Sequence, residues 1–157
     1  MGNDARVRRL VLLALLALLA VAGCGGEEDP AATPAGAAQV RLNENLYDGR
    51  FEQAYADLLP AHQRIVSLAR FIRCAKRASF VSVGDLQSIE VLDVFDEAVR
   101  IPGLRVRKAK AVRVRITSFS GETDTFVNHE VKVGGRWHWV LSDAAIQAYR
   151  SGACPGV

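Results

Sequence analysis

The 157-residue chain has only one long apolar run, Leu10 to Ala22, which excludes a polytopic membrane protein. It has no H-E-x-x-H, no G-x-S-x-G, no Walker loop and no G-x-G-x-x-G. The local signatures of zinc proteases, serine hydrolases and nucleotide enzymes are therefore missing. Its three histidines, His62, His129 and His138, lack metal-ligand spacing, so neither a metal nor a cofactor is expected. There is no C-x-x-C, which argues against a redox-active dithiol, and no internal repeat. Apolar residues are not scarce. At 50% hydrophobic and 24% charged, the composition is that of a folded chain of one-domain length, not a disordered one. A real excess of charge is also missing. The 20 Lys and Arg against 17 Asp and Glu leave +3, but Arg6, Arg8 and Arg9 against Asp4 in the first 23 residues carry most of it. Beyond them the balance is 17 to 16, so nucleic acid is not an expected partner.

The N-terminus reads as a targeting segment. Arg6, Arg8 and Arg9 form a basic start, and the 13 apolar residues from Leu10 to Ala22 follow. A membrane span needs roughly 20 such residues, whereas a signal peptide needs fewer. The run ends in Val21-Ala22-Gly23-Cys24, which resembles the bacterial lipobox. That resemblance implies cleavage after residue 23 and diacylglycerol on the Cys24 thiol. Acyl chains contribute about 0.8 kcal/mol per buried CH₂, so two or three hold a domain on the extracytoplasmic face of the cell membrane. The alternative is an ordinary secretory signal with Cys24 incidental. Residues 24–38 are rich in Gly, Ala and Pro and read as a flexible tether, leaving 39–157 as the domain.

With Cys24 assigned to lipid, Cys74 and Cys154 remain. An even pair in an oxidising compartment predicts a disulfide. Such a loop is worth about 4.5 kcal/mol in the chain-entropy treatment. The alternative is two ordinary thiols.

Three helical patterns open the domain. Val40, Asn43 and Tyr47 recur at helical spacing before Asp48-Gly49, and Phe51, Tyr55, Leu58 and Leu59 form a second stripe. Pro60 starts a third helix whose face is Ile65, Leu68, Ala69 and Ile72. The period then changes to two. Ser88 to Arg100 is strand-like, Val112, Val114 and Ile116 alternate with Arg113 and Arg115, and Val127, His129, Val131 and Val133 alternate with polar residues. Ser120-Gly121 and Gly134-Gly135 are hairpin turns. Trp137, Trp139 and Leu141 close a fourth strand, and Ser142 or Asp143 caps a short last helix. The fold class is α+β: N-terminal helices packed on an antiparallel sheet of about four strands, with a short C-terminal helix.

This order, the Tyr-Asp-Gly-Arg-Phe turn at 47–51 and the Gly-Gly-Arg-Trp-His-Trp hairpin at 134–139 resemble the nuclear transport factor two-like, or cystatin-like cone, superfamily. More narrowly, the chain is similar to small actinobacterial-type lipoproteins. The resemblance covers roughly residues 37–157. It implies a curved sheet wrapped over the helices around a cone-shaped cavity. Members include isomerases, dehydratases and non-catalytic binding or assembly proteins, so fold alone does not choose among them.

No catalytic residue is assigned. His129, in phase with three valines, is expected to point at the cavity as a polar anchor or base, or else to be a satisfied core histidine. Asp93, in phase with Ile89, Val91 and Phe95, is its candidate partner, or lies solvated on the opposite face. Trp139 and Tyr55 are candidate ligand contacts, with core packing as the alternative, and Tyr149 is weighed the same way. His62, at a helix start, is expected to be exposed. The basic run Arg100, Arg105, Arg107, Lys108, Lys110, Arg113 and Arg115 reads as an anion-binding patch or as a charged sheet edge. The expected function is a non-catalytic, membrane-anchored module taking a small apolar ligand or an envelope protein. Acid–base catalysis through Asp93 and His129, and a homodimeric assembly module, are the alternatives.

Overall fold

A computed structural model describes residues 29–77, 84–101 and 107–156. The signal segment, Cys24, the first five tether residues and Arg105 lie outside the described residues. From Asp29 onward the tether expectation is corrected. A 3-10 turn at Pro30–Ala32 leads into helix α1, Pro34–Tyr47, with Ala35 and Ala38 buried. Thr33 caps it, accepting from the Gly36 N–H at 3.1 Å. Any Cβ at Gly36 would fall 2.0 Å from the Pro30 carbonyl oxygen, so glycine lets the turn fold back on the helix. Pro30 and Pro34 sit in the first turns of the 3-10 turn and of α1, where a missing N–H costs nothing.

Helices α2 (Phe51–Ala56), α3 (Pro60–Gln63) and α4 (Leu68–Ala75) follow. The single third helix expected from the sequence is thus two, divided before Ser67, whose side chain caps α4. The buried residues here are Val66, Phe71 and Cys74 rather than the Ile65, Leu68, Ala69 and Ile72 face.

Strands β1 (Leu86–Val99), β2 (Arg107–Ser118), β3 (Thr123–Val133) and β4 (Arg136–Trp139) form an antiparallel meander in the order β1-β2-β3-β4. Gly134 and Gly135 both have positive φ, +57° and +83°, as a tight two-residue hairpin turn requires. Helix α5, Asp143–Arg150, closes the chain, capped by Ser142. This is the expected α+β class, in an open-sheet form compatible with a cone-like fold. No helix among the described residues is long and apolar enough to cross a membrane.

The helix-facing side of the sheet buries Val91, Val112, Val114 and Ile116 against Ala35. A second cluster joins Leu42, Phe51, Leu58, Phe71, Ile146 and Tyr149 at the β4 edge. On the opposite face, Leu59 and Ile101 pack on Ala109 and Val131 at one end of the sheet. Cys74 and Cys154 form a disulfide with Cα atoms 5.2 Å apart, 80 residues apart in sequence. It ties α4 to the C-terminus. Cys154→Ser is expected to lower stability by about 2–5 kcal/mol, read as a lower urea midpoint. A reductant should shift the parent chain equally and the variant not at all.

Candidate functional site

A β-bulge decides which acid meets His129. Val91 pairs with Val114 and Asp93 with Arg113, leaving Leu92 as an extra residue. Asp93 therefore leaves the face of Ile89 and Val91 and turns outward with Phe95 and Glu97. Its side chain is half exposed, with Arg113 at 3.9 Å. It does not partner His129. That role falls to Glu97: the His129 Nε2–H donates to Glu97 Oε2 at 2.8 Å. The two side chains meet across β2 from its neighbours β1 and β3. Ala111, in register with both Phe95 and His129, and Ala109, in register with Glu97, are small enough to let them do so.

His129 also lies on the face opposite the one expected. β3 turns Phe126, Asn128 and Glu130 toward the helices, in register with Val114, Val112 and Lys110. The valine side faces out, with Val127 and Val133 exposed and Val131 buried under Ile101. Periodicity found the two faces of β3 but not their direction.

Beside the Glu97–His129 pair is a cleft of about 330 Å³. One wall is the end of β1, from Glu97 to Ile101, and the other is the β4–α5 connection, from Val140 to Asp143. His62 also lines it. Far from exposed, His62 has 0% of its surface accessible. Its position follows from Pro60, which starts α3 and turns the ring inward against the β4–α5 connection. The Leu141 N–H donates to His62 Nδ1 at 2.9 Å. Nδ1 is thus an acceptor, so the ring proton sits on Nε2. That Nε2 is buried and has no partner among the described residues. Burial holds the His62 pKa below its ordinary value, while the nearby Asp143 charge acts the other way.

The other sequence candidates are structural in position. The Trp139 indole N–H donates to the Ala54 carbonyl at 2.8 Å, and its ring lies 5.8 Å from Phe71. The Tyr55 hydroxyl lies 2.9 and 3.1 Å from the Val66 and Gln63 carbonyl oxygens. Tyr149 is buried with Arg70 over its ring. The basic run is neither a sheet edge nor an unopposed patch. β2 is an interior strand, and Lys110, Arg113 and Arg115 face Asp96, Asp93 and Glu90 of β1.

Sequence reading missed two further buried groups. Gln39 on α1 is wholly buried with both amide atoms unpartnered, and Glu130 is 1% exposed with Oε1 unpartnered. Burial raises the Glu130 pKa to about 8; Arg41 opposes that rise and Asp57 adds to it. A carboxylate between His129 and Val131 in an alternating strand carried no signal of this, because its face was assigned to solvent. Among the described residues no cluster of His, Cys, Asp or Glu could hold a metal. The chain matches no family model and no curated protein.

Glu130 and His62 act in opposite senses. Glu130 keeps its proton in the folded state up to about pH 8, whereas an ordinary glutamate releases it near 4.5. Between those values the folded state binds more protons, so stability falls as pH rises. The slope approaches about 1.4 kcal/mol per pH unit where the states differ by one proton. His62 is neutral when folded, so its contribution is present above the ordinary 6.5 and lost as pH falls. Glu130→Gln should flatten the decline between pH 4.5 and about 8 and leave in place the loss that His62 brings below 6.5, measured by urea unfolding across pH 4 to 9.

Proposed function

We propose that the chain is an extracytoplasmic lipoprotein of the nuclear transport factor two-like superfamily, anchored by diacylglycerol on Cys24. Its folded domain binds a small molecule, and the cleft beside Glu97 and His129 is where it binds. The lipobox-like Val21-Ala22-Gly23-Cys24 supports the anchor. The observation that carries the binding reading is the cleft itself, about 330 Å³, where the Glu97 carboxylate and the His129 imidazole stand beside the aliphatic walls of Val99, Ile101, Val140 and Leu141. The helix–sheet interior is a poorer candidate, since Trp139, Phe71 and Tyr55 pack it and use their polar atoms on backbone carbonyls.

Acid–base catalysis is the second reading, and one observation favours it: Glu97 and His129 stand within hydrogen-bond reach in a cleft. Both side chains are nevertheless open to water, at 46% and 29% exposure. Water exclusion, which strengthens electrostatic catalysis, is lacking there, so binding is preferred.

Two measurements test this. Cys24→Ala should move the chain from the membrane pellet to the soluble fraction, and an unchanged distribution would overturn the anchor. The full chain, incubated with cell-envelope extract and passed through native mass spectrometry, should retain a small molecule. An empty chain, or a bound mass that persists unchanged in Glu97→Ala and Asp143→Ala variants, would overturn binding in the cleft.

A further inference from the structure

Three cations of β2 meet acids of β1, whereas the cations around α4 are unmatched. Between Asp57 and Asp85 the chain has no acid, yet Arg64, Arg70, Arg73, Lys76 and Arg77 all fall there. The buried side of α4 carries Phe71 and Cys74, the latter held in the disulfide. Arg73 and, at the end of the helix, Lys76 and Arg77 are therefore exposed, as is Leu68 in its first turn, at 37%. Arg70 is used within the fold: it donates to the Ala153 carbonyl at 3.0 Å and lies over the Tyr149 ring. Lys76 reaches no acid, and its ammonium is 6.0 Å from the centre of the Phe51 ring. Arg64, Arg73 and Arg77 have no ion-pair partner among the described residues.

A helix C-terminus carries about half a negative charge and favours a nearby cation. Three exposed cations exceed what that half charge offsets. The occupant of the patch follows from the anchor proposed above, on which this inference rests. Only residues 25–28 separate Cys24 from Asp29, where the described fold begins. Five Cα–Cα steps span at most about 18 Å, so a lipidated Cys24 brings the headgroups of its own membrane close to the fold. Glu27, Glu28 and Asp29 make the tether acidic, so attraction to an anionic surface is left to the domain. Arginine forks match phosphate oxygens in geometry, and Leu68 adds an aliphatic contact beside them. We infer that the exposed side of α4 is a membrane-docking face that binds anionic phospholipid headgroups.

The test uses the lipidated chain, as the cell processes it, in phosphatidylcholine vesicles with or without phosphatidylglycerol. Phenylglyoxal labels exposed arginines and an acetylating ester exposed lysines, both read by mass spectrometry. Phosphatidylglycerol should slow the labelling of Arg73, Lys76 and Arg77 severalfold, and high salt should restore it. Arg113 and Arg136, on the sheet, should label alike on both vesicles. Arg73→Gln with Arg77→Gln alters only exposed side chains and should weaken docking, read as Lys76 protection, about fivefold for each charge lost. Equal labelling on both vesicles, protection unchanged in that variant, or protection at Arg107 and Lys108 in place of α4 would overturn the docking face. So would protection by a soluble anionic envelope polymer but not by phosphatidylglycerol. A Cys24 that carries no acyl group overturns the anchor. The same labelling is then read on the unanchored chain mixed with the vesicles: salt-sensitive protection at α4 supports the face without the anchor, and its absence overturns both.

Discussion

The structure is organised by β2, the strand that is buried on both faces over part of its length. Val112, Val114 and Ile116 are fully covered on the helix side. On the other side the strand changes character along its length, from Ala109 and Ala111, both buried, to Arg113 and Arg115, both exposed. An antiparallel sheet commonly leaves one face to water, and the two arginines mark where that holds here. The two alanines mark where it fails. Their small side chains let Ile101 and Leu59 pack onto the sheet, and let Glu97 and His129 meet across the strand. A larger residue at Ala111, which has no accessible surface, would separate the pair.

The helices are held to this sheet at its β4 edge. The Leu59 N–H donates to the Trp139 carbonyl, and the Trp139 N–H to the Asp57 carbonyl, so the link between α2 and α3 runs beside β4 like a short extra strand. That pairing satisfies backbone groups that an open edge would leave exposed. It also sets Pro60 and His62 in place, because α3 begins one residue later. The position of the buried imidazole is therefore a consequence of how the sheet edge is closed.

The order of elements, both hairpin turns, the cap of the last helix and the disulfide pair were readable because each depends on local chemistry: alternation, glycine at positive φ, a serine before a helix, an even cysteine count. The site was not readable in the same way. Asp93 was placed by counting twos from Val91, and the bulge at Leu92 adds one residue to that count. His129 was placed by assuming that valines point inward, but β3 sends Asn128 and Glu130 inward instead. The buried side of α1 carries Gln39 and Asn43 among its small apolar residues, so polar groups enter this interface from both layers. His62 looked exposed because it follows Pro60 in a short polar stretch, and only tertiary packing shows that β4 and α5 close over it.

The charge pattern is resolved by the same register. Seven basic residues within 16 positions suggest an anion site when read along the chain. Across the sheet, three of them meet acids of β1 at 2.9, 3.9 and 2.8 Å. Exposed pairs of this kind each contribute about 0–1 kcal/mol, so they add little to stability. Their larger effect is on register: slipping β1 by one residue along β2 would set Glu90, Asp93 and Asp96 opposite apolar residues instead of cations and turn Val91 and Val94 to water. The ladder thus keeps Glu97 opposite Ala109, where it reaches His129. Read this way, the basic run serves the cleft indirectly, by holding β1 in the register that brings the acid to the imidazole.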